Sequence, residues 1–340
     1  MTYDPPMKTA RADRREAVRR GWQQPSTPIR VGVSTCLLGE KVRFDGNHKR
    51  DSFLVDTLGK FVEWVPVCPE VEVGMPVPRP PVRLARSPGG VRLVEVESGE
   101  DHTRRMAVWS RRRVGELEEL SLCGYVLKKG SPSCGMERVK VWHPGGQSTR
   151  DGRGLFAAEL IGRMGSLPVE EEGRLSDAGL RENFVERLFA FRRLEALFSS
   201  RWTIGDLVEF HTAHKLQLMA HSEPSYRALG KLVAMSRALP RAELRERYMG
   251  EFMDALRHSA TTRRHTNVMS HMIGHFRGRL DERSRAELRD VIEDYRRHLI
   301  PLIVPITLIR HHARDLEIDY LLRQVYMDPH PRELMLRNHV

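Results

Sequence analysis

The sequence is short of the features that would settle its class at once. Four cysteines in 340 residues are too few for a disulfide scaffold. No apolar run approaches the roughly 20 residues that a spanning helix needs; the longest, HLIPLIVPITLI, is too short and holds Pro301 and Pro305. The first 28 residues lack the apolar segment and small-residue cleavage site of a secretory signal, and their arginines and prolines read as a mobile basic tail. The expected compartment is therefore the cytoplasm, where thiols stay reduced and open to metal or catalysis. No CxxC pair, HExxH helix or histidine at zinc spacing accompanies the cysteines, which argues against a closed structural zinc site.

What is present is globular. Hydrophobic residues make up 40% and charged residues 30%, and the length is comfortable for two domains, each with its own core. The formal net charge of +11 favours a polyanionic partner, nucleic acid before an anionic membrane surface. It identifies neither by itself.

From residue 29 strands alternate with helices. IRVGVSTC ends on Cys36, a polar loop follows, and Ser52 to Phe61 has a helical pattern; EWVPVCPE ends on Cys68. EVGMPVPRPPVRL is too rich in proline for helix or interior strand and reads as a stiff extended loop. RLVEVESGEDHT reads as a short strand and turn, Thr103 to Leu120 as a helix, and LCGYVLKKGSPSC as a strand leading to Cys134. The expected fold is α/β, an open, mostly parallel, Rossmann-like sheet, with an all-α domain after it. Boundaries are set at 1–28, 29–200 and 201–340.

Ligands of such sheets bind beyond the carboxyl ends of the strands, where Cys36, Cys68 and Cys134 all fall. Cys123 precedes its strand, at the opposite end, and is assigned a structural role. Three soft ligands with one position missing suit an iron-sulfur cluster with an open iron. Spacing alone leaves three unrelated core thiols as the competing reading. Glu70 lies close enough to Cys68 to act at such a site, although most loop glutamates are only solvated. Ser131 and Ser133 flank Pro132 just before Cys134 and are candidates for proton handling or substrate orientation, against the common role of turn formers. Arg43, Asp45, Arg79 and Lys129 are candidates for binding substrate, the cations through phosphate.

These residues resemble the TudS-type thiouracil desulfidases. The resemblance spans most of residues 29–170 and rests on CLLG with VRFDG (Cys36 to Gly46), VCPE (Val67 to Glu70), GMPVPRPPVRL (Gly74 to Leu84) and KGSPSCG (Lys129 to Gly135). It implies a 4Fe-4S cluster held by Cys36, Cys68 and Cys134, with the remaining iron open to the sulfur of a thiolated pyrimidine. It also implies catalytic roles for Glu70 and a serine of SPS, in a hydrolysis that releases sulfide. Phe44 stands where the family often has tyrosine, and GMERVKVWHPGG replaces a glycine-rich continuation.

The second half reads as helices broken near Glu223-Pro224, Pro240, Gly278 to Asp281 and Pro301 to Pro305. Most of the 15 histidines lie here. Without carboxylates at metal spacing they are assigned to RNA contacts or core hydrogen bonds. Arg263 and Arg264, with His265, Thr266 and Asn267, form one candidate phosphate-binding cluster, and Arg310 to Arg314 a second. FHTAHKLQLMAHS, RRHTNVMSHMIGHF and PLIVPITLIRHH resemble the YbgA-type helical domain. The two domains in this order resemble the RudS-type proteins, which implies tRNA carrying 4-thiouridine as partner and substrate. A desulfidase of free thiolated pyrimidines or 4-thio-UMP, and a non-catalytic RNA-binding iron-sulfur sensor, are the alternatives. No membrane association and no obligate protein partner are expected.

Overall fold

The computed structural model describes residues 29–199 and 201–339, so the expected basic tail at 1–28 lies outside the described residues. The chain divides into two compact units between Phe184 and Val185.

In the first unit four parallel strands form one sheet in the order β2-β1-β5-β8, with β1 Ile29–Ser34, β2 Val62–Val67, β5 Gly124–Leu127 and β8 Val169–Glu171. Strands in a parallel sheet with both faces covered are apolar throughout, and Val31, Val33, Val126 and Leu127 are fully buried. Gly32 lets the Tyr125 ring lie across β1, because a Cβ there would fall 2.2 Å from Tyr125 Cδ2. Tyr125 packs on Phe156, and Phe156 on Trp109, at centroid separations of 5.7 and 5.6 Å. These contacts seat α2 (Thr103–Glu119) and α3 (Leu155–Arg163) with the sheet. The helical pattern at Ser52 to Phe61 becomes one wide turn, Phe53–Thr57, followed by a 3-10 turn, Leu58–Lys60; both bury leucine, at Leu54 and Leu58.

A second sheet was not expected. It runs β4-β3-β6-β7, from β3 (Val82–Ser87), β4 (Gly90–Glu95), β6 (Val139–Trp142) and β7 (Ser148–Gly152). β3 is an interior strand, antiparallel to β4 and parallel to β6. The proline run that argued against a strand stops at Pro81, and every residue of β3 has an N–H to give to the ladder. The stiff loop is real only as far as that proline.

The second unit is helical: α4 (Ala178–Ser199), α5 (Ile204–Ala213), α6 (Lys215–His221), α7 (Glu223–Ala234), α8 (Arg241–Arg257), α9 (Thr262–Gly274), α10 (Glu282–Arg296), α11 (Ile303–Asp315) and α12 (Asp319–Leu322). The units divide within α4, ahead of the boundary set at residue 200; the side chains of Glu186 and Arg193 on this helix bond to the helical unit. The expected breaks fall at or beside helix starts; Pro240 and Leu302 precede α8 and α11 without a side-chain cap, and Pro305 lies in the first turn of α11, while other starts are capped. Thr203 and Asp206 form a capping box, and Ser222, Thr261 and Asp281 accept main-chain N–H bonds at the starts of α7, α9 and α10. No helix among the described residues is long and apolar enough to cross a membrane.

The interior of this unit holds a polar network around Glu186. Its carboxylate lies 3.3 Å from His221 Nε2 and accepts a 2.8 Å bond from Gln217 Nε2, with Arg337 3.8 Å away. Burial opposes its charge, but His221 and Arg337 more than offset this and hold the carboxyl far below the usual range. His214 and His265 bond Phe210 O and Tyr326 Oη, each at 2.8 Å, and burial lowers both histidines to about 3. Removing one partner of a buried pair strands the other charge. Glu186→Ala should therefore cost about 3–5 kcal/mol in urea unfolding followed by circular dichroism, whereas Glu293→Ala, which breaks only exposed pairs to Arg296 and Arg297, should leave the urea midpoint nearly unchanged.

Candidate functional site

Three loops leave the carboxyl ends of neighbouring parallel strands and carry the three thiols. After β1 the chain turns through Thr35–Leu38, which buries Cys36; Cys36 O accepts the Lys49 N–H at 2.9 Å and so closes the polar loop back on the turn. After β2, Cys68 caps the one-turn helix α1 (Pro69–Glu72), with Pro69 at the position where a missing N–H costs nothing. Glu72 Oε1 accepts the Cys68 N–H at 3.1 Å. After β5, Ser34 Oγ accepts the Lys128 N–H at 3.0 Å and ties this strand end to that of β1.

The SPSC turn is built around Ser131, whose Oγ accepts the N–H groups of Ser133 and Cys134 at 3.2 and 3.1 Å. The carbonyls of Pro132 and Ser133 accept the otherwise unsatisfied first amides of α3. Gly154 makes this docking possible, since a Cβ there would lie 2.4 Å from Ser133 O.

Together the loops enclose a cleft of about 310 Å³ lined by Cys36, Cys68 and Cys134 along with Glu70, Ser131, Arg43, Arg79 and Lys129. Cys123 is buried just ahead of β5, at the other end of the sheet. Glu70 is held from both sides. Its Oε2 accepts Arg79 Nη2 at 2.5 Å and Nε at 3.1 Å, and its Oε1 accepts the Ser133 hydroxyl at 2.9 Å.

The two serines are thereby separated. Ser131 lines the cleft, whereas Ser133 is fully buried behind Glu70. Arg79 was expected to hold phosphate, but it is buried and gives its donors to Glu70, Val42 O and Pro76 O. It positions the carboxylate. Asp45 does not line the cleft; it is exposed and accepts Arg43 Nε at 3.3 Å and the Asn47 N–H at 3.1 Å, shaping the loop.

Lys49, a cleft residue, had no signal in the sequence beyond being basic in a loop; the half-exposed Phe44, noted there only as a departure from the family's tyrosine, also lines the cleft. Among the described residues neither Lys49 nor Lys129 has an ion-pair partner, while Lys128 pairs with Glu172. In the helical unit Arg263 and Arg314 are exposed. Arg264 donates to His221 O at 2.8 Å. Arg310 is buried and bonds Met327 O and Asp328 at 2.5 and 2.9 Å, which takes its guanidinium off any surface a phosphate could reach.

Burial raises Cys36 to about 11, helped by Cys68 and opposed by Lys128 and Arg43. Burial also raises Cys68, and raises Cys134 well above the ordinary thiol range. A site that raises three thiols in this way lacks the positive charge to hold them as thiolates, and a bound metal group would supply it. The three thiols lie at the ends of neighbouring strands along one cleft. Three soft donors around one cleft are the donor set of an iron-sulfur group with one position open.

The first unit matches a family model described as 2-thiouracil desulfurase over residues 31–172, and the second matches DUF1722, described as a protein of unknown function, over residues 215–331. The uncharacterized protein YbgA of Escherichia coli (strain K12) is 35% identical over 153 residues, 45% of this chain and 90% of that protein. The uncharacterized protein YbbK of Bacillus subtilis (strain 168) is 30% identical over 153 residues, 43% of this chain and 97% of that protein. A solved structure of a 4Fe-4S-dependent thiouracil desulfidase, TudS, is 33% identical over 46% of this chain and 99% of that chain, with a TM-score of 0.37.

The thiol environment predicts a pH profile for metal-free protein. The Cys36 thiol stays protonated until the pH nears about 11, so its alkylation by iodoacetamide, read by mass spectrometry, should keep rising well past the ~8.5 of an ordinary cysteine. Full labelling at neutral pH would contradict this.

Proposed function

The chain belongs to the 2-thiouracil desulfurase family through residues 31–172, with a DUF1722 region following, and on that premise we propose that it is an iron-sulfur desulfidase acting on 4-thiouridine in tRNA. The observation that carries the desulfidase reading is the convergence of three strand-end thiols with a fixed carboxylate in one cleft. Cys36, Cys68 and Cys134 would hold a 4Fe-4S cluster, which supplies a Lewis-acidic iron toward a thiocarbonyl sulfur.

The chain's own residues supply the rest. Arg79 aims Glu70, through two donors on one oxygen. Ser133 fixes the other oxygen from behind, and that oxygen retains a lone pair to take a proton from water in the cleft. The proposed reaction is a hydrolysis: water oxygen bonds to the ring carbon, the carbon–sulfur bond breaks, and sulfur leaves as hydrosulfide with no net oxidation or reduction. Ser131 is within the cleft to hydrogen-bond the ring, and Lys49, Lys129 and Arg43 give its wall positive charge toward a nucleotide phosphate.

The tRNA reading rests on the net charge of +11 and on the addition of the helical unit. A free thiolated nucleotide is the second reading, because the cleft is about the size of one such ligand.

Anaerobically reconstituted protein tests both parts. Cys134→Ser should lose cluster absorbance and sulfide release together, and Cys123→Ser should keep both. Glu70→Gln should keep the absorbance and lose roughly 10²–10⁴-fold in rate; full activity in that variant would remove Glu70 from the chemistry. Comparing thiolated tRNA with 4-thio-UMP at equal concentration decides the substrate, the tRNA reading requiring the higher kcat/KM for tRNA.

A further inference from the structure

Helix α2 has two unlike faces. Met106, Trp109, Ser110, Val114 and Leu117 are buried, while Arg104, Arg105, Val108, Arg111 and Arg112 are exposed. The exposed positions follow the spacing 0, 1, 4, 7, 8, which is one helix face. At 1.5 Å per residue they form a row about 12 Å long.

Three of these four arginines lack an ion-pair partner among the described residues, as do Arg237, Arg263, Arg277, Arg279, Arg283 and Arg314 of the helical unit; what distinguishes the α2 group is that all four share one helix face. The three are Arg104, Arg105 and Arg111, and Arg112 has one exposed contact, to Glu116 at 3.5 Å. Many exposed arginines of the helical unit are instead held by an acid about one turn away, as Arg227 is by Glu223, Arg323 by Asp319, and Arg296 and Arg297 by Glu293. Four guanidinium groups on so short a row repel one another unless something anionic covers them.

The row borders a groove of about 590 Å³, with Arg104, Arg105, Val108 and Arg112 on one side and Glu72 and Val73 on the other. Its acids are already engaged. Glu72 takes Arg113 Nε and the Cys68 N–H, both at 3.1 Å, and Asp101 takes the Thr103 N–H at 2.9 Å and Arg92 at 3.3 Å. Val108, 53% exposed amid the arginines, offers an apolar contact to a sugar or base. The groove also lies beside the chemistry: α1 lines the cleft with Glu70 and the groove with Glu72.

We propose that this face of α2 docks the phosphate backbone of RNA, so that the desulfurase unit holds polynucleotide next to its own cleft. The proposal rests on the tRNA reading above and adds to it a surface outside the helical unit. Guanidinium groups spaced by a helical turn bind successive phosphates, and Val108 packs between them.

The test is fluorescence anisotropy of labelled tRNA with the full-length protein between 50 and 200 mM salt. Replacing all four arginines (R104Q/R105Q/R111Q/R112Q) should flatten the slope of log K against log salt by about 3, since each lost phosphate contact removes roughly 0.7–0.9. The double variant R104Q/R111Q should show about half that change, so the result does not depend on the fourfold variant folding; an unchanged thermal midpoint reports the fold. Wild-type slope and affinity in both variants would overturn the α2 surface and leave the tRNA reading standing. No binding of tRNA by wild-type protein would overturn both. Binding to phosphatidylserine vesicles in place of tRNA, lost in the same variants, would assign the face to a membrane and overturn the proposal.

Discussion

The contact between Arg79 and Glu70 holds the site together because it joins three loops at once. Arg79 bonds Val42 O on the loop that follows Cys36, Pro76 O on the proline-rich segment, and the Glu70 carboxylate beside Cys68. Glu70 in turn accepts from Ser133, beside Cys134. One ion pair thus sets the relative position of all three thiol-bearing turns. Only a planar guanidinium with five donors can span carboxylate and carbonyls in this way; a lysine would lose the fork and most of the bridge. Because both side chains are largely buried, loss of either would leave an uncompensated charge under the cleft.

The parts of this arrangement that follow from period and position were legible in the sequence. A parallel sheet puts successive strand ends on one edge, so thiols just past VGVST, VPV and the YVL strand had to meet if the strands paired. β2-β1-β5 do pair in that order. What was not legible depends on side-chain direction. Ser131 and Ser133 are two residues apart in a turn, and only the turn's geometry decides that one lines the cleft and the other lies behind Glu70. Arg79 read as a phosphate ligand because an arginine in a loop has no visible partner until the fold brings Glu70 and Val42 to it. Arg310 read as a surface cation for the same reason, its partners lying at Met327 and Asp328. The second sheet escaped because the proline density ending at Pro81 outweighed the β-branched start of β3 in any window containing both.

Charge illustrates the limit of composition as evidence. The net +11 says nothing about where the excess lies. In the helical unit much of the arginine content is neutralised, either on the surface by glutamate or aspartate about one turn away or in the interior against Glu186. Cation count there overstates the field available to a partner. In α2 the three glutamates gather at the C-terminal end, and of the four arginines on the exposed face only Arg112 has an acid partner among the described residues. A polyanion responds to the uncompensated charge, not to the total.

The electrostatics of the thiols also decides which group in the KKGSPSCG loop is the reactive one. Lys128 and Arg43 stabilise the Cys36 thiolate, and the Ser34 hydroxyl that of Cys134, yet burial outweighs them at both positions. A thiol held protonated is a poor nucleophile, so on its own Cys134 is suited neither to attack a substrate nor to exchange a disulfide. Its burial becomes useful only with a cationic metal group beside it, because removing competing water strengthens the attraction between thiolate and metal. Such a group would occupy the sulfurs as ligands and leave proton transfer to the other polar groups of the cleft. The carboxylate lining this cleft is Glu70, bonded directly by Arg79. The loop's cysteine and its serines are therefore divided in place: Cys134 and Ser131 line the cleft, and Ser133 fixes the Glu70 carboxylate from behind.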